Sequence, residues 1–157
     1  MSEGKVVAVC LSATAGVPKQ TQDRIEIGRY GVEGDRHAGE YRTNGKGERE
    51  ISRRHVTVVA EEALEAAERA LSVTIPQGGV GENVLVRGMG DLGDLTEGQV
   101  LRFSSGVELE VTGQNNPCKS LAVYHPQVPK ELYGRRGLLT VVKNPGSVRP
   151  GDAVEIV

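Results

Sequence analysis

Alternating apolar and polar residues mark most of the chain as β structure. Residues 4–13 contain an unbroken apolar run, and residues 24–27 alternate between polar and apolar side chains, as a strand with one buried face does. After position 82, short apolar segments recur between turns that contain glycine. The pattern predicts further strands over residues 55–59, 83–86, 99–103, 107–112, 138–143 and 153–157.

One segment follows a helical pattern instead. Residues 61–71 are rich in alanine, leucine and glutamate, which have high helix propensity. Leu64 and Leu71 are seven positions apart and share one face of a helix, and the acidic residues of the first turn suit the helix dipole. We predict one clear amphipathic helix over residues 61–71 and a shorter helical turn over residues 127–133.

The order of these elements favours a mainly β (α+β) fold. Many short strands with one clear helix do not form a strand–helix repeat, so a closed or half-closed, barrel-like β fold with a small helical addition fits best. The chain of 157 residues has no internal repeat and no linker, which predicts a single domain over residues 1–157. Residues 40–50 are almost entirely polar, and we expect them to form a long functional loop or a loop that orders only on binding.

Charge and composition bear on the class of partner. The chain has 19 Lys and Arg against 21 Asp and Glu, a formal net charge of -2, so global charge favours neither nucleic acid nor a membrane surface. Aromatic residues make up 3% of the chain, which disfavours a base-stacking platform. No apolar run has the length of a membrane span, and no segment has the pattern of a secretion signal. We expect a cytoplasmic protein with reduced thiols.

The segment at residues 113–121 (Gly-Gln-Asn-Asn-Pro-Cys-Lys-Ser-Leu) carries the main candidate for chemistry. Its glycine, asparagines and proline suit a turn, and they present the Cys118 thiol at the head of a loop. Lys119 is the next residue, and a nearby cation favours the thiolate, which attacks electrophiles and binds soft metals. The alternative is a small apolar residue in a turn, because free cysteines are commonly buried and inert. Cys10 lies in an apolar run and is predicted to be a buried strand residue.

Two basic clusters offer donors to an anionic ligand. In residues 34–37 (Gly-Asp-Arg-His), the glycine lets backbone approach a ligand closely, while Arg36 and His37 carry donors. Arg53 and Arg54 form a second positive group just before a predicted strand. Taken alone, the first cluster is more typical of a surface salt-bridge turn, and the second is also common as a solvated basic strand edge.

A glycine-rich loop at residues 78–83 (Gly-Gly-Val-Gly-Glu-Asn) is the third cluster. Its backbone N–H groups are suited to line a phosphate or carbonyl site. Asn83 can donate and accept at once, and Glu82 is placed to hold an arginine. Further positive charge comes from Lys119, Arg135 and Arg136. Together the clusters indicate a phosphorylated ligand held near a thiolate.

Two motif matches are rejected. Residues 88–93 satisfy G-x-G-x-x-G, but another turn follows them instead of the helix that a dinucleotide-binding loop requires. His37 and Cys118 share elements of the zinc-deaminase signature, but its glutamate and second cysteine are missing. The two cysteines and three scattered histidines also form no ligand pairs for structural zinc.

Taken in order, residues 31–37, 81–83 and 117–121 resemble the MOSC domain, which is named after the C-terminal domain of molybdenum cofactor sulfurase. A Gly-Leu strand start and a Val-Arg-Pro-Gly-Asp turn near the end extend the resemblance over nearly the whole chain. The length suits a stand-alone, single-domain member. The resemblance implies a predominantly β fold built round a barrel-like sheet, in which Cys118 corresponds to the functional cysteine of the family.

The resemblance also implies a function. In the amidoxime-reducing members this cysteine ligates the molybdenum of a pterin cofactor, which implies that the chain binds molybdenum cofactor (molybdopterin) through Cys118 as metal ligand and catalytic residue. The substrates would be N-hydroxylated compounds, with electrons from a separate redox partner. By position, we assign the following residues to cofactor binding: Arg36, His37, Arg53, Asn83 and Lys119.

Two alternatives remain open. In the sulfurase context the family cysteine was proposed to carry sulfur, which implies a sulfur-carrier or cofactor-delivery module that uses a Cys118 persulfide and a desulfurase partner, without reductase activity of its own. The other alternative is a β-barrel without a cofactor, whose basic clusters bind a different anionic metabolite.

Overall fold

The computed structural model describes residues 3–157, and strands dominate it. The strands are β1 (Glu3–Leu11), β2 (Gln20–Gln22), β3 (Ile25–Gly28), β4 (Gly31–Val32), β5 (Tyr41–Thr43), β6 (Arg49–Ile51), β7 (Val56–Ala60), β8 (Val84–Arg87), β9 (Val100–Phe103), β10 (Glu108–Gln114), β11 (Leu138–Asn144), β12 (Gly146–Val148) and β13 (Ala153–Ile156). The helical segments are α1 (Glu61–Leu71), a 3₁₀ helix at Lys119–Val123 and α2 (Val128–Glu131). The predicted mainly β (α+β) class is confirmed.

Seven strands close into a barrel. Their order is β13, β9, β10, β11, β7, β8 and β1, and β1 pairs back onto β13 with Lys5 opposite Ala153. Closure gives both outer strands a partner and so removes the free edges of the sheet. β2 adds to the far end of β1, and a small sheet of β12, β3 and β4 lies beside the barrel. The barrel-like fold expected from the sequence is confirmed.

One helix crosses between two parallel strands of this otherwise antiparallel barrel. β7 and β8 run in parallel, so the chain must return between them, and α1 makes that return. It has the predicted bounds and buries Ala63, Leu64 and Ala67. It ends at Ser72, which adopts the left-handed conformation common at helix C-termini. The crossover leaves the glycine-rich loop at residues 78–83 between the helix and β8.

Large aliphatic side chains and one phenylalanine fill the core. The largest fully buried ones include Phe103, Ile25, Leu85, Leu101, Leu109, Leu121, Leu132 and Leu138. Three of them lie outside the barrel strands: Ile25 belongs to β3, Leu121 belongs to the 3₁₀ helix and Leu132 follows α2. Because each anchors its segment by burying apolar area, the loop that carries Cys118 is fixed at its C-terminal side.

The polar stretch at residues 40–50 is not the long loop that the sequence suggests. Its two halves form the β5–β6 hairpin, in which Tyr41 pairs with Ile51 and Arg42 with Glu50. The Arg49 guanidinium lies 3.9 Å from the centre of the Tyr41 ring, a favourable cation–π contact. Side-chain pairs of this kind stabilise a hairpin without a buried apolar face, so apolar periodicity does not reveal it.

Smaller differences concern the ends of strands. β10 continues to Gln114, beyond the predicted end at residue 112, because a bulge near Gly113 keeps its ladder to β11 in place. The predicted turn at residues 127–133 is confirmed as the short helix α2. Across residues 3–157, no helix combines the length and apolar character needed to cross a membrane.

Candidate functional site

A cleft of about 230 Å³ lies beside Cys118. It forms where loops from distant parts of the chain meet near β7 and β10. The residues that line it are Gly16, Val17, Lys19, Arg36, His37, Arg54, Thr57, Val80, Gly81, Asn115, Asn116, Cys118, Ser120 and Arg136. Four of these are basic and one is a thiol, and no carboxylate is among them.

The Cys118 thiol is exposed at the rim of the cleft and is not part of a disulfide. Partial burial alone would raise its pKa, but the Ser120 hydroxyl, the backbone N–H groups of Ser120 and Leu121 and the positive charge of Arg136 outweigh that effect. The net result is a thiol pKa below the ordinary value, so more of the sulfur is thiolate at neutral pH. Cys10 differs, because burial in the core raises its pKa to about 12.

Buried guanidinium groups form one wall of the cleft. Arg136 is only 7% exposed, and its Nε and Nη1 atoms have no hydrogen-bond partner among residues 3–157. The Nε atom of Arg54 is buried and equally without a partner in this part of the chain. Because an unsatisfied buried donor is costly, these donors are poised for an anionic group that enters the cleft.

Lys19, which also lines the cleft, forms a buried ion pair with Asp35. The Lys19 ammonium lies 2.9 and 3.0 Å from the two carboxylate oxygens of Asp35. The same carboxylate accepts the backbone N–H groups of Ser12 and His37. Burial alone would raise the pKa of Asp35, but these contacts lower it below its ordinary value. The carboxylate therefore stays ionised and neutralises Lys19, leaving the arginines as the net positive charge.

This ion pair also sets the state of His37. Burial and the charges of Lys19 and Arg54 lower the pKa of His37 to about 4, so the imidazole is neutral at pH 7. Its Nδ1 atom lies 3.3 Å from the Lys19 ammonium. Since an ammonium has donors and no acceptor, Nδ1 must accept and Nε2 must carry the proton. His37 is a neutral donor in the lining of the cleft.

The glycine-rich loop is held from within by Glu82. This carboxylate is fully buried and accepts the backbone N–H groups of Gly78 and Val80 at 2.9 and 3.2 Å. The Tyr124 hydroxyl donates to the carbonyl oxygen of Gly79 at 2.6 Å. Gly81 has a φ of +83°, a conformation that favours glycine. The loop is therefore rigid where it lines the cleft.

The structure brings three of the predicted site residues together. Arg36, His37 and Cys118 all line the cleft, although they are separated by about eighty positions of sequence. The polar residues Asn115 and Asn116, which precede the cysteine, line it as well. The predicted thiol loop and the predicted Gly-Asp-Arg-His turn therefore face the same space.

Three other predicted residues do not line the cleft, and their part in cofactor binding stays a prediction. The Arg53 side chain is 64% exposed and pairs with Glu97 at 2.9 Å. Lys119 is exposed and absent from the lining, so Arg136 takes the role of the cation near the thiol. Asn83 is 0% exposed, and protein groups occupy both ends of its amide.

The remaining lining residues were only partly predictable. Arg54 and Arg136 each belong to a pair of neighbouring arginines that is visible in the sequence. The sequence does not reveal which arginine of each pair faces the cleft. Arg135 turns the other way and donates to the carbonyl oxygen of Glu131 at 2.8 Å. Lys19 belongs to no recognisable motif, and only its burial against Asp35 identifies it.

Residues 3–157 contain no group of three or more His, Cys, Asp or Glu side chains arranged to hold a metal ion. The donor set that is present consists of one soft thiolate and several hydrogen-bond donors for anions. A thiolate suits a soft transition metal, and buried guanidinium groups suit a phosphate. The site therefore fits an anionic organic ligand that carries its own metal or sulfur.

The family model of the MOSC domain matches residues 33–155. The match covers the cleft from Arg36 to Arg136, apart from the loop that carries Lys19. The chain belongs to the MOSC domain family. This family takes its name from the sulfurase of molybdenum cofactor, so the comparison places the chain among proteins related to molybdenum cofactor and sulfur metabolism.

Individual relatives agree with this assignment. YuaD of Bacillus subtilis (strain 168), named as a candidate metal-sulfur cluster biosynthesis protein, is 30% identical over 173 residues, which cover 97% of this chain and 89% of YuaD. The crystal structure of B. subtilis YuaD has a TM-score of 0.89 at 27% identity, covering 98% of this chain and 95% of that one. YiiM from Geobacillus stearothermophilus has a TM-score of 0.73 at 18% identity, covering 98% and 75%, and supports the fold.

Proposed function

We propose that this protein binds molybdenum cofactor (molybdopterin), with Cys118 as the protein ligand of the metal, and that it reduces N-hydroxylated compounds in the cytoplasm with electrons from a separate redox partner. The observation that carries the proposal is the pairing of a low-pKa, exposed thiol with buried arginine donors that have no partner. The thiolate suits the metal, and the guanidinium groups suit the phosphate of the pterin.

The residues of the chain would divide the work as follows. The Cys118 thiolate would ligate the metal, which when bound supplies two-electron redox chemistry. Arg136 and Arg54 would hold the cofactor phosphate with donors that are otherwise unsatisfied. His37 would donate its Nε2 proton as a hydrogen bond to an oxygen in the cleft, since its pKa of about 4 keeps it neutral. The loop held by Glu82 would exclude water from one side.

Sulfur carriage is the second candidate, and the exposure of Cys118 favours it. The thiolate would attack the terminal sulfur of a persulfide on a desulfurase. A new S–S bond would form at Cys118 as the donor cysteine leaves as a thiolate, so no external oxidant or reductant is required. The name of YuaD, which refers to metal-sulfur cluster biosynthesis, is compatible with this candidate.

Molybdenum and pterin content tests the first proposal. Protein expressed with molybdate should contain close to one molybdenum per chain, and Cys118→Ser should lose most of it while keeping its unfolding free energy, because the side chain is exposed. Cys10→Ala is the matched control, since it removes a thiol far from solvent and should keep the metal. Equal molybdenum in wild type and Cys118→Ser would contradict the proposal.

Mass analysis distinguishes the two candidates. After incubation with a desulfurase and cysteine, a sulfur carrier would show one added sulfur on Cys118 that dithiothreitol removes. Under the first proposal the cofactor-loaded protein shows no such adduct, because the Cys118 sulfur would already be bonded to the metal. If the protein acquires this sulfur adduct and never retains molybdenum, the result supports sulfur carriage and contradicts the first proposal.

A further inference from the structure

A second cavity adjoins the cleft. We call it the hairpin pocket; it has a volume of about 390 Å³ and lies between the β5–β6 hairpin and the turn after Asp35. Arg36, His37 and Arg54 line both the hairpin pocket and the cleft. The two spaces therefore share one wall, and a ligand in either one contacts the same basic side chains.

The hairpin pocket has its own donors in addition to the shared wall. Arg42, Thr43 and Ser52 line it and do not line the cleft. Arg42 is held only loosely, because the nearest carboxylate oxygen, on Glu50, is 3.8 Å away. None of the residues that line the pocket is acidic. Such a surface attracts an oxyanion, because it offers basic donors and has no carboxylate that would repel a negative charge.

Size distinguishes the ligand from a simple ion. A volume of about 390 Å³ is several times that of inorganic phosphate, and Tyr41 supplies an aromatic ring at the edge of the pocket. The ligand group that fits is a phosphate attached to part of an organic molecule. The cleft has a cation of its own, Arg136, which does not line the hairpin pocket, so an anion in the cleft has a charge partner that an anion in the pocket does not use.

We propose that the hairpin pocket binds the phosphate of the substrate, so that this protein acts on phosphorylated N-hydroxylated compounds in preference to the same compounds without a phosphate. The proposal rests on the proposed function, because it takes the reacting group to lie in the cleft beside Cys118. Arg54 and Arg36, in the shared wall, contact both the substrate and the ligand of the cleft, and Arg42 contacts the substrate alone.

Calorimetric binding of adenosine 5′-monophosphate and adenosine tests the pocket on the full chain without cofactor. Wild-type protein should bind the monophosphate about tenfold more tightly than adenosine, and Arg42→Ala should remove most of that difference, because one charge-assisted contact is lost. Arg24→Ala is the matched control: Arg24 is an exposed arginine paired with Glu26 at 2.8 Å, is absent from the pocket lining and should leave the difference unchanged.

The outcomes separate this proposal from the proposed function. Equal affinity for the two compounds in wild type, or no effect of Arg42→Ala, would overturn the pocket proposal and leave the molybdenum result untouched. The molybdenum content of Arg42→Ala identifies the source of the phosphate. Unchanged content supports a substrate phosphate, whereas loss of molybdenum would assign the pocket to the phosphate of the cofactor and overturn our proposal.

Discussion

Burial and ion pairing determine which side chains around the cleft carry net charge. The Lys19–Asp35 pair is buried and neutral overall, and it lies beside a His37 side chain whose pKa is about 4. The positive charge that remains comes from arginines, whose guanidinium groups stay protonated. The site therefore presents fixed cations and one neutral donor near neutral pH, an arrangement that suits an anionic ligand.

The low pKa of His37 predicts a pH dependence of stability. In the unfolded chain this histidine titrates near 6.5, and in the folded protein near 4, so the unfolded state binds more protons between those values. Stability is therefore lost as the pH falls from about 6.5 to 4. In His37→Gln that contribution is absent, and urea unfolding at pH 7 and pH 4.5 should differ less than in wild type. An identical pH dependence in both proteins would show that His37 is not shielded as described.

At the residue scale the sequence identifies types of side chain more reliably than their directions. Arg36, His37 and Cys118 stand in short motifs whose turns dictate exposure, and all three line the cleft. Arg53 and Arg54 are neighbours in the bent link between β6 and β7. The Arg53 side chain is exposed, whereas Arg54 lines the cleft. Only packing decides which one turns inward, and no pattern in a single sequence carries that information.

At the element scale, Asn83 joins three strands. Its Oδ1 atom accepts the backbone N–H of Thr57 in β7, and its Nδ2 atom donates to the carbonyl oxygen of Cys10 in β1, both at 3.1 Å. Asn83 itself directly precedes β8. These bonds fix the position at which the glycine-rich loop meets the barrel, so Asn83 acts on the cleft through Gly81 and Glu82.

Removal of this amide should destabilise the barrel. Asn83→Ala leaves a buried N–H and a buried carbonyl oxygen without their side-chain partners, and we expect the free energy of unfolding to fall by about 2–4 kcal/mol. Asn144→Ala is the control, because its exposed amide makes one bond to Gly106, and we expect less than about 1 kcal/mol. Urea unfolding measures both. Equal losses would mean that Asn83 does not tie the strands together.

Elements with an apolar period were predictable, and elements stabilised by polar pairs were not. The helix at Glu61–Leu71 and the principal barrel strands follow buried faces that the sequence displays. The β5–β6 hairpin has exposed residues on both strands, and pairs such as Arg42 with Glu50 are common in loops as well. Its position matters for function, because it forms one side of the hairpin pocket.

At the scale of the whole molecule, barrel closure assembles the site. β1 pairs with β13, and the closed sheet brings together Lys19, His37, Arg54, Cys118 and Arg136, which are scattered over most of the chain. The sequence predicts the fold class from its strands, but the composition of the cleft depends on strand order and register. These are long-range properties, which local patterns do not contain.

The central claim is that the Cys118 sulfur ligates the metal of a bound cofactor. Alkylation by iodoacetamide at pH 7, followed by mass analysis of the peptides, tests it on cofactor-free and molybdenum-loaded protein. We predict rapid modification of Cys118 in the cofactor-free protein, because its pKa is lowered, and protection in the loaded protein. Cys10 should stay unmodified in both, because it is buried and its pKa is about 12. Equal modification of Cys118 in the loaded protein, with molybdenum still bound, would contradict the account.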